Sequence, residues 1–466
     1  MISMRRAAYL FVWTPLLIGI SPACASIEFS PSIQISQYWT DNRELTADEL
    51  SQEDTITEIQ PEIALTLTSR RHRGELEARY QHLTYRRADE TRSFQQYNAS
   101  TNSELSSDLL FLDLAANRTQ SAISEQQAVA ANNLSLISNR TDVSTYNINP
   151  YLLKQWSSRW RSRIDYNYRD TRFEIAGIND SQTQMFTALT SYGGNGAIFS
   201  VDLSFNGVRT ESQLSTRPAE FDELRLDSRY QMNATWAWLL NVGYEEGRYD
   251  RATTEKTRGG FGEVGFETMP TRKITLNGLI GERYFGNTAS LRLLYRYNLR
   301  TGVEVGYRTD ITQSAIEINR ASVQTGVIAQ FDNLGDTFLA NEVFKVRRSD
   351  ARIYFQWARS RGELLASHEI RDFQLSLNQE IIDSVVANWN WSITAKSSLD
   401  LELSVLDREL NNQVGDDRLN YALVRIESKS TKMVSIGGEY SISSRSGAAI
   451  QAYRQQQVGL FVNVLF

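Results

Sequence analysis

Residues 291–300 read Leu291-Arg292-Leu293-Leu294-Tyr295-Arg296-Tyr297-Asn298-Leu299-Arg300. Every odd position is apolar or aromatic, while the even positions carry Arg292, Arg296, Asn298 and Arg300 around a single Leu294. Period two is the signature of a β-strand, because successive side chains point to opposite faces. The pattern continues outward from this stretch. Val303, Val305 and Tyr307 alternate with Glu304, Gly306 and Arg308, and Leu399, Leu401, Leu403 and Val405 alternate with Asp400, Glu402 and Ser404. Ile164, Tyr166 and Tyr168 alternate with Asp165, Asn167 and Arg169, and Val434, Ile436 and Tyr440 with Ser435, Gly437 and Glu439. Each segment has one apolar face and one charged or polar face.

A soluble β-sandwich also alternates, so three further features select a membrane barrel. The polar face repeatedly carries Arg and Glu, which suits a wet lumen, while the apolar face suits lipid. Segments run about 9–12 residues between turn signals, and a tilted strand needs about 9–11 to cross the hydrocarbon layer. Aromatic pairs such as Trp156 and Trp160, Trp236 and Trp238, and Trp389 and Trp391 sit near segment ends, as in interfacial girdles. The chain then finishes on Val458, Leu460, Val462, Val464 and Phe466, alternating with Gly459, Phe461, Asn463 and Leu465. A closing amphipathic strand with a terminal aromatic resembles the sorting signal read by the barrel assembly machinery of the outer membrane. The expected fold is therefore an all-β, transmembrane antiparallel outer-membrane β-barrel.

The start of the chain predicts export. Arg5-Arg6 precedes an apolar run over residues 7–20, and Ala23 and Ala25 fill the two small subsites before Ser26. This is the layout of a cleaved secretory signal peptide over residues 1–25, leaving 26–466 as a single barrel domain. The run is too short to span a bilayer as a helix. A lipid attached at Cys24 is disfavoured, because Ser21-Pro22-Ala23 lacks the expected Leu three residues before it. Cys24 is the only cysteine of the 466 residues, so the exported chain must be stable without disulfides, and cysteine nucleophiles and thiolate metal centres are excluded. The formal charge is −6, and −8 once residues 1–25 are removed, which argues against a nucleic-acid partner. Residues 26–466 number 441, and at about 20–28 residues per strand with its turn they predict 16–22 strands, 16–20 being preferred. Short breaks at 69–74, 157–158 and 269–271 read as tight turns. Polar stretches at 41–54, 120–141 and 411–417 read as outer loops, and 332–344 as a short helix or an inward-folded loop.

One resemblance adds to this reading. Ile33-Gln34-Ile35-Ser36-Gln37-Tyr38-Trp39-Thr40-Asp41-Asn42, Ile59-Gln60-Pro61-Glu62-Ile63 and Asp108-Leu109-Leu110-Phe111-Leu112-Asp113 carry it first. Asn139-Arg140-Thr141-Asp142-Val143, Tyr146, Asn149-Pro150-Tyr151-Leu152 and Arg283-Tyr284-Phe285-Gly286-Asn287 continue it. With these pieces the chain resembles the outer-membrane proteins associated with the PEP-CTERM/exosortase system of bacteria that make exopolysaccharide. The resemblance implies an outer-membrane location and partners among exopolysaccharide or its export machinery. It carries no catalytic residues to transfer.

Chemistry-bearing motifs are sparse. The three histidines, His72, His82 and His368, have no metal-ligand spacing, and no cofactor or metal is expected. His72 reads as a solvated turn residue. A serine partner for His82 would have to come from a neighbouring strand, and Ser367 and His368 point to opposite faces. The acidic run Asp41, Glu44, Asp48, Glu49, Glu53, Asp54 lacks the spacing of a calcium loop and reads as solvated. The informative set is the series of candidate lumen charges: Arg163 or Arg169, with Arg292, Arg296, Arg300, Glu304, Arg308, Asp400 and Glu402. These either select anionic solutes or sugars, or brace the wall as cross-strand ion pairs, the second being favoured. The reading is a non-enzymatic barrel in outer-membrane lipid, serving as a channel or export component. A general diffusion porin and a structural or adhesive barrel with a blocked lumen are its rivals.

Overall fold

The computed structural model describes residues 26–123, 127–175, 180–193, 197–212, 217–252, 256–313, 342–410, 416–447 and 451–466. The expected signal segment, including Ala23 and Ala25, lies outside them, as do residues 332–341 and 411–415 of the expected loops. Twenty-two strands succeed one another along the chain. They are β1 (Ser26–Thr40), β2 (Asp54–Thr68), β3 (His72–Tyr85), β4 (Glu90–Ser106), β5 (Leu110–Ser121), β6 (Thr141–Gln155), β7 (Trp160–Phe173), β8 (Ser181–Tyr192), β9 (Phe199–Ser212), β10 (Ala219–Gln231) and β11 (Trp236–Arg248). The second half contains β12 (Arg258–Thr271), β13 (Ile274–Arg283), β14 (Gly286–Asn298), β15 (Thr301–Gln313), β16 (Val343–Gln356), β17 (Ser360–Phe373), β18 (Gln379–Ser392), β19 (Ser397–Leu410), β20 (Asp417–Lys429), β21 (Val434–Gly447) and β22 (Tyr453–Leu465). Each pairs antiparallel with its neighbours in sequence, and β22 pairs with β1, which closes an all-β barrel.

The strand number, 22, is the top of the arithmetic range and exceeds the preferred 16–20. The reason is economy in the turns. All ten connections at the end of the barrel that carries Ser26 and Phe466 have between two and six residues. Two local expectations are corrected as well. Met269, Pro270 and Thr271 belong to β12, where Pro270 falls in a register irregularity, and the turn itself is 272–273. Val343 and Phe344 begin β16 and form no helix.

The outward face is the apolar one. Leu291, Tyr295, Leu403, Val405 and Ile436 are exposed, whereas lumen-side Ser404 and Ser435 are buried. The tryptophan pairs 156/160, 236/238 and 389/391, with Trp357, all stand at the short-turn end, and Trp39 stands at the opposite one. Rings there pack on one another, as in Trp160 on Tyr192 with centroids 4.8 Å apart. The short turns below this girdle are basic: Arg70-Arg71 follows β2, Arg272-Lys273 follows β12, and Lys396 and Lys432 follow β18 and β20.

The closing seam is short. Nine register pairs join β1 to β22, from Ser32–Leu465 to Thr40–Gln457, against fifteen between β1 and β2. An aromatic ring over glycine reinforces it, Tyr38 covering its register partner Gly459, and the same device recurs between β21 and β22, where Phe461 covers Gly437. A Cβ at either glycine would collide with the ring, so the missing side chain is what lets the aromatic lie flat against the wall.

Candidate functional site

The site is the lumen, and its most prominent occupant is the connection between β5 and β6. The polar pattern of residues 120–141 predicts an outer loop. Instead, Gln120 and Thr141 are strand residues, and the described part of the connection folds inward. Ala128, Val129, Ala130, Ala131, Leu134 and Ile137 are all buried. They pack on three lumen-facing groups. Val129 and Ala131 meet Leu419 and Tyr421 of β20. Leu134 meets Tyr38, Ile56, Leu83 and Tyr85 of β1 to β3. Ala128, Ala130 and Ile137 meet Leu45 and Tyr453. Each fully buried aliphatic side chain contributes about 1.5–3 kcal/mol relative to exposure, enough to hold the segment against the wall.

A buried connection must also satisfy its backbone, and lumen side chains do this here. Tyr85 Oη donates to the Leu134 carbonyl at 3.1 Å, and Tyr453 Oη donates to that of Val129. Arg92 donates to the Ile137 carbonyl and Arg445 to that of Gln127, both at 2.6 Å. Asn132 donates to Gln457 at 2.7 Å and Asn133 to Gln81 at 2.9 Å. Gln455 acts as a hub, its Nε2 donating to Thr40, Asn42 and Ser135. Arg140 turns back onto the segment, donating to the Asn132 carbonyl at 2.6 Å with its guanidinium 5.3 Å from the Phe94 ring centroid. Desolvation pushes its pKa down to about 10, so it stays charged at neutral pH.

The rest of the wall is finished differently. Arg283 of β13 reaches Glu245 on β11, Glu223 on β10 at 3.4 Å and Asp310 on β15 at 3.6 Å. Arg225 meets Asp227 at 2.6 Å and Glu263 at 3.2 Å. Farther round, Glu380 is fully buried between Arg371 of β17, at 3.5 Å, and Arg408 of β19. Arg371 also meets Glu369.

The predicted residues are dispersed through this scheme. Arg163 and Arg169 face the lumen from β7; Arg163 is bound to Asp165 at 2.6 Å, and Arg169 has no ion pair among the described residues. Arg292 donates to Glu304 at 2.6 Å. Arg296 faces the lumen with no ion pair among the described residues, and Arg308 lies opposite Arg348 in register. Arg300 is not a wall residue at all, since it sits in the turn 299–300. Asp400 accepts from Asn390, and Glu402 lies half-buried on the same lumen face of β19. Ser26 opens β1. Val458, Leu460, Val462 and Phe466 are exposed on the outer face, with Val464 beside them and Phe461 buried on the inner one.

The histidines lie away from the lumen or its centre. His72 opens β3, its N–H donating to Ser69 Oγ across a tight turn. His82 lies 2.9 Å from Ser93 on β4, the neighbouring-strand serine that sequence spacing leaves unidentified, and no carboxylate among the described residues is bound to it. His368 meets Asp383 at 2.7 Å. Among the described residues no three His, Cys, Asp or Glu side chains are grouped to hold a metal ion. Sequence reasoning missed the inward segment, although one signal was present: Ala128-Val129-Ala130-Ala131 with Leu134, Leu136 and Ile137 is unusually apolar for a solvated loop.

The chain matches no family model and no curated protein. Its fold does match solved structures. The siderophore receptor PirA from Acinetobacter baumannii superposes with a TM-score of 0.54 at 7% identity, over 95% of this chain and 81% of that one. The FrpB iron transporter from Neisseria meningitidis gives 0.53 at 8%, over 94% and 81%. The ferric enterobactin receptor PfeA from Pseudomonas aeruginosa gives 0.51 at 8%, over 95% and 81%. At such identities the likeness establishes the closed barrel of outer-membrane type.

Proposed function

We propose that the chain is a non-enzymatic conduit of the outer membrane whose lumen is narrowed by its own inward-folded segment, 127–140. Barrels of 22 strands are wide enough to need filling, and this segment, with its backbone satisfied by lumen side chains, is the observation that carries the reading. The short-turn end then faces the periplasm and the longer loops face outward. Polar polymer or small polar solutes would pass the segment along the charged wall. The structural neighbours are named as siderophore receptors and an iron transporter, which agrees with solute passage but does not fix the cargo. The resemblance to proteins of the PEP-CTERM/exosortase system supports an exopolysaccharide or its export machinery as the partner.

The test is single-channel conductance of purified protein in a planar bilayer, with and without acidic polysaccharide fragments. Discrete steps blocked by the fragments are expected. One rival has a specific observation behind it: the apolar packing of Leu134 and Val129 would also suit a permanently blocked, structural or adhesive barrel. Silence from correctly folded protein, persisting after excision of 127–137, would favour that rival. Trimers with unselective conductance would favour a general diffusion porin.

A further inference from the structure

The two ends of the barrel carry opposite charge. The ten short turns contain nine Lys or Arg and one acid, Asp108, while the described residues of the connections at the other end hold eleven acids and seven bases. The basic turn residues do not neutralise one another's surroundings. Arg159, Arg300 and Arg359 are exposed, and no carboxylate among the described residues lies within ion-pair distance of them. The charge also continues inward. Arg161 on β7, Arg296 on β14 and Arg361 on β17 stand just inside the rim on the lumen-facing parity of their strands, opposite to exposed Ile164, Tyr295 and Leu364. These three are exposed as well, again with no ion pair among the described residues. Carboxylates that face the lumen near this end without an ion pair among the described residues include Glu28 on β1, Asp202 on β9 and Asp400 on β19. Register sets Asp202 two strands from Arg161 with Ser191 between, and Asp400 two strands from Arg361 with Asn390 between.

We propose that this rim is a cationic collar that captures a linear polyanion, such as an acidic polysaccharide, at the short-turn mouth of the lumen. This deepens the conduit reading and rests on it for the passage that comes after capture. Like charges around a low-dielectric mouth focus their field and raise the local concentration of a counter-charged ligand. Anionic lipid headgroups could satisfy the turn residues, which lie below the tryptophan girdle. They cannot reach Arg161, Arg296 and Arg361 on the lumen side, and a polymer threading the mouth can. A chain carrying a charge on every sugar would touch turn and wall cations together. Export from the short-turn side then proceeds from a positive mouth toward a negative one, so the chain is gripped at the start and released at the end.

The decisive experiment measures binding of a ten-residue oligogalacturonate to the full chain in neutral detergent micelles by titration calorimetry. In the variant, Arg159, Arg161, Arg296, Arg300, Arg359 and Arg361 are all replaced by Gln; a second variant carries Lys at the same six positions. The Gln variant should bind about tenfold or more weakly, as six weak exposed contacts are lost together. The Lys variant should bind nearly as wild type, because it keeps the charge. Wild-type binding should also collapse between about 50 and about 300 mM salt as screening shortens. Equal binding by the Gln variant overturns the collar, as does salt-independent binding should that variant fail to fold. Unchanged oligogalacturonate binding with loss of co-purifying phosphatidylglycerol would assign the rim to lipid and also overturn it. A rim-dependent ligand on a protein that never conducts would sink the conduit and leave the collar standing, and the converse result would do the opposite.

Discussion

The lumen wall has two halves that solve one problem in different ways. Around β20 to β22 and β1 to β4, inward side chains such as Leu83, Ile56, Tyr421 and Phe94 meet the β5–β6 connection, and the space is closed by apolar packing. Around β10 to β19, the described inward side chains meet mainly each other: Arg–Glu networks such as Arg283 with Glu245 and Glu223 prevail, beside a smaller apolar cluster of Phe344, Val346 and Phe373 and the Phe221 ring stacked on Tyr249 of the β11–β12 connection. The lesson is that a polar strand face does not dictate a wet lumen. What decides is whether a neighbouring connection supplies an apolar partner. Where the described connections bring little, ion pairs make up more of the wall.

Breaking the packed half outright should have the largest effect. Replacing 127–137 by a short Gly-Ser bridge should raise single-channel conductance about twofold or more, since a barrel of this girth is open when unfilled. An unchanged conductance would show that this half does not set the constriction. Next comes the charged half: Glu380→Gln removes the carboxylate between two buried arginines and should cost about 3 kcal/mol, read as a lower urea midpoint of the folded barrel. Leu134→Ala should cost about 2–4 kcal/mol if the segment cannot collapse around the cavity. Its distinctive readout is faster proteolytic cutting within 127–140 while the strands stay protected. Arg292→Gln should cost less than about 1 kcal/mol, because its partner Glu304 and the pair as a whole remain accessible to water. A large loss there would erase the distinction between the buried and the open ion pairs.

Much of the wall was legible in advance. Alternation places Leu291, Tyr295, Leu403 and Val405 outward and Arg292, Glu304 and Asp400 inward, because strand geometry has a single period and no free choice. Sequence favours bracing of lumen charges by cross-strand ion pairs; Arg292–Glu304 is such a pair, Arg163–Asp165 lies within one strand, and Arg169, Arg296 and Arg308 have no ion pair among the described residues. Arg300 misled because alternation continues through Leu299 and gives no sign that the strand has already turned. Strand number was undercounted because two-residue turns such as 272–273 use fewer residues than the assumed share. The inward segment was invisible for a deeper reason. Its partners, Tyr421, Tyr453 and Gln457, lie some three hundred residues away, and period two on a strand cannot say what will arrive opposite it. The rim arginines were present in the sequence all along, but their common level emerges only when the turns are stacked at one end.

The nine-pair seam between β1 and β22 bears on the order of events during assembly. Gln455, Gln457 and Tyr453 hold the β5–β6 segment, and all three belong to the strand that completes the ring. Until that strand docks, Val129 and Asn132 lack their partners there and the segment is tethered only by the early strands. Circularisation and obstruction are therefore one cooperative step: a nascent sheet is born unobstructed, and the lumen narrows at the moment its circumference is sealed.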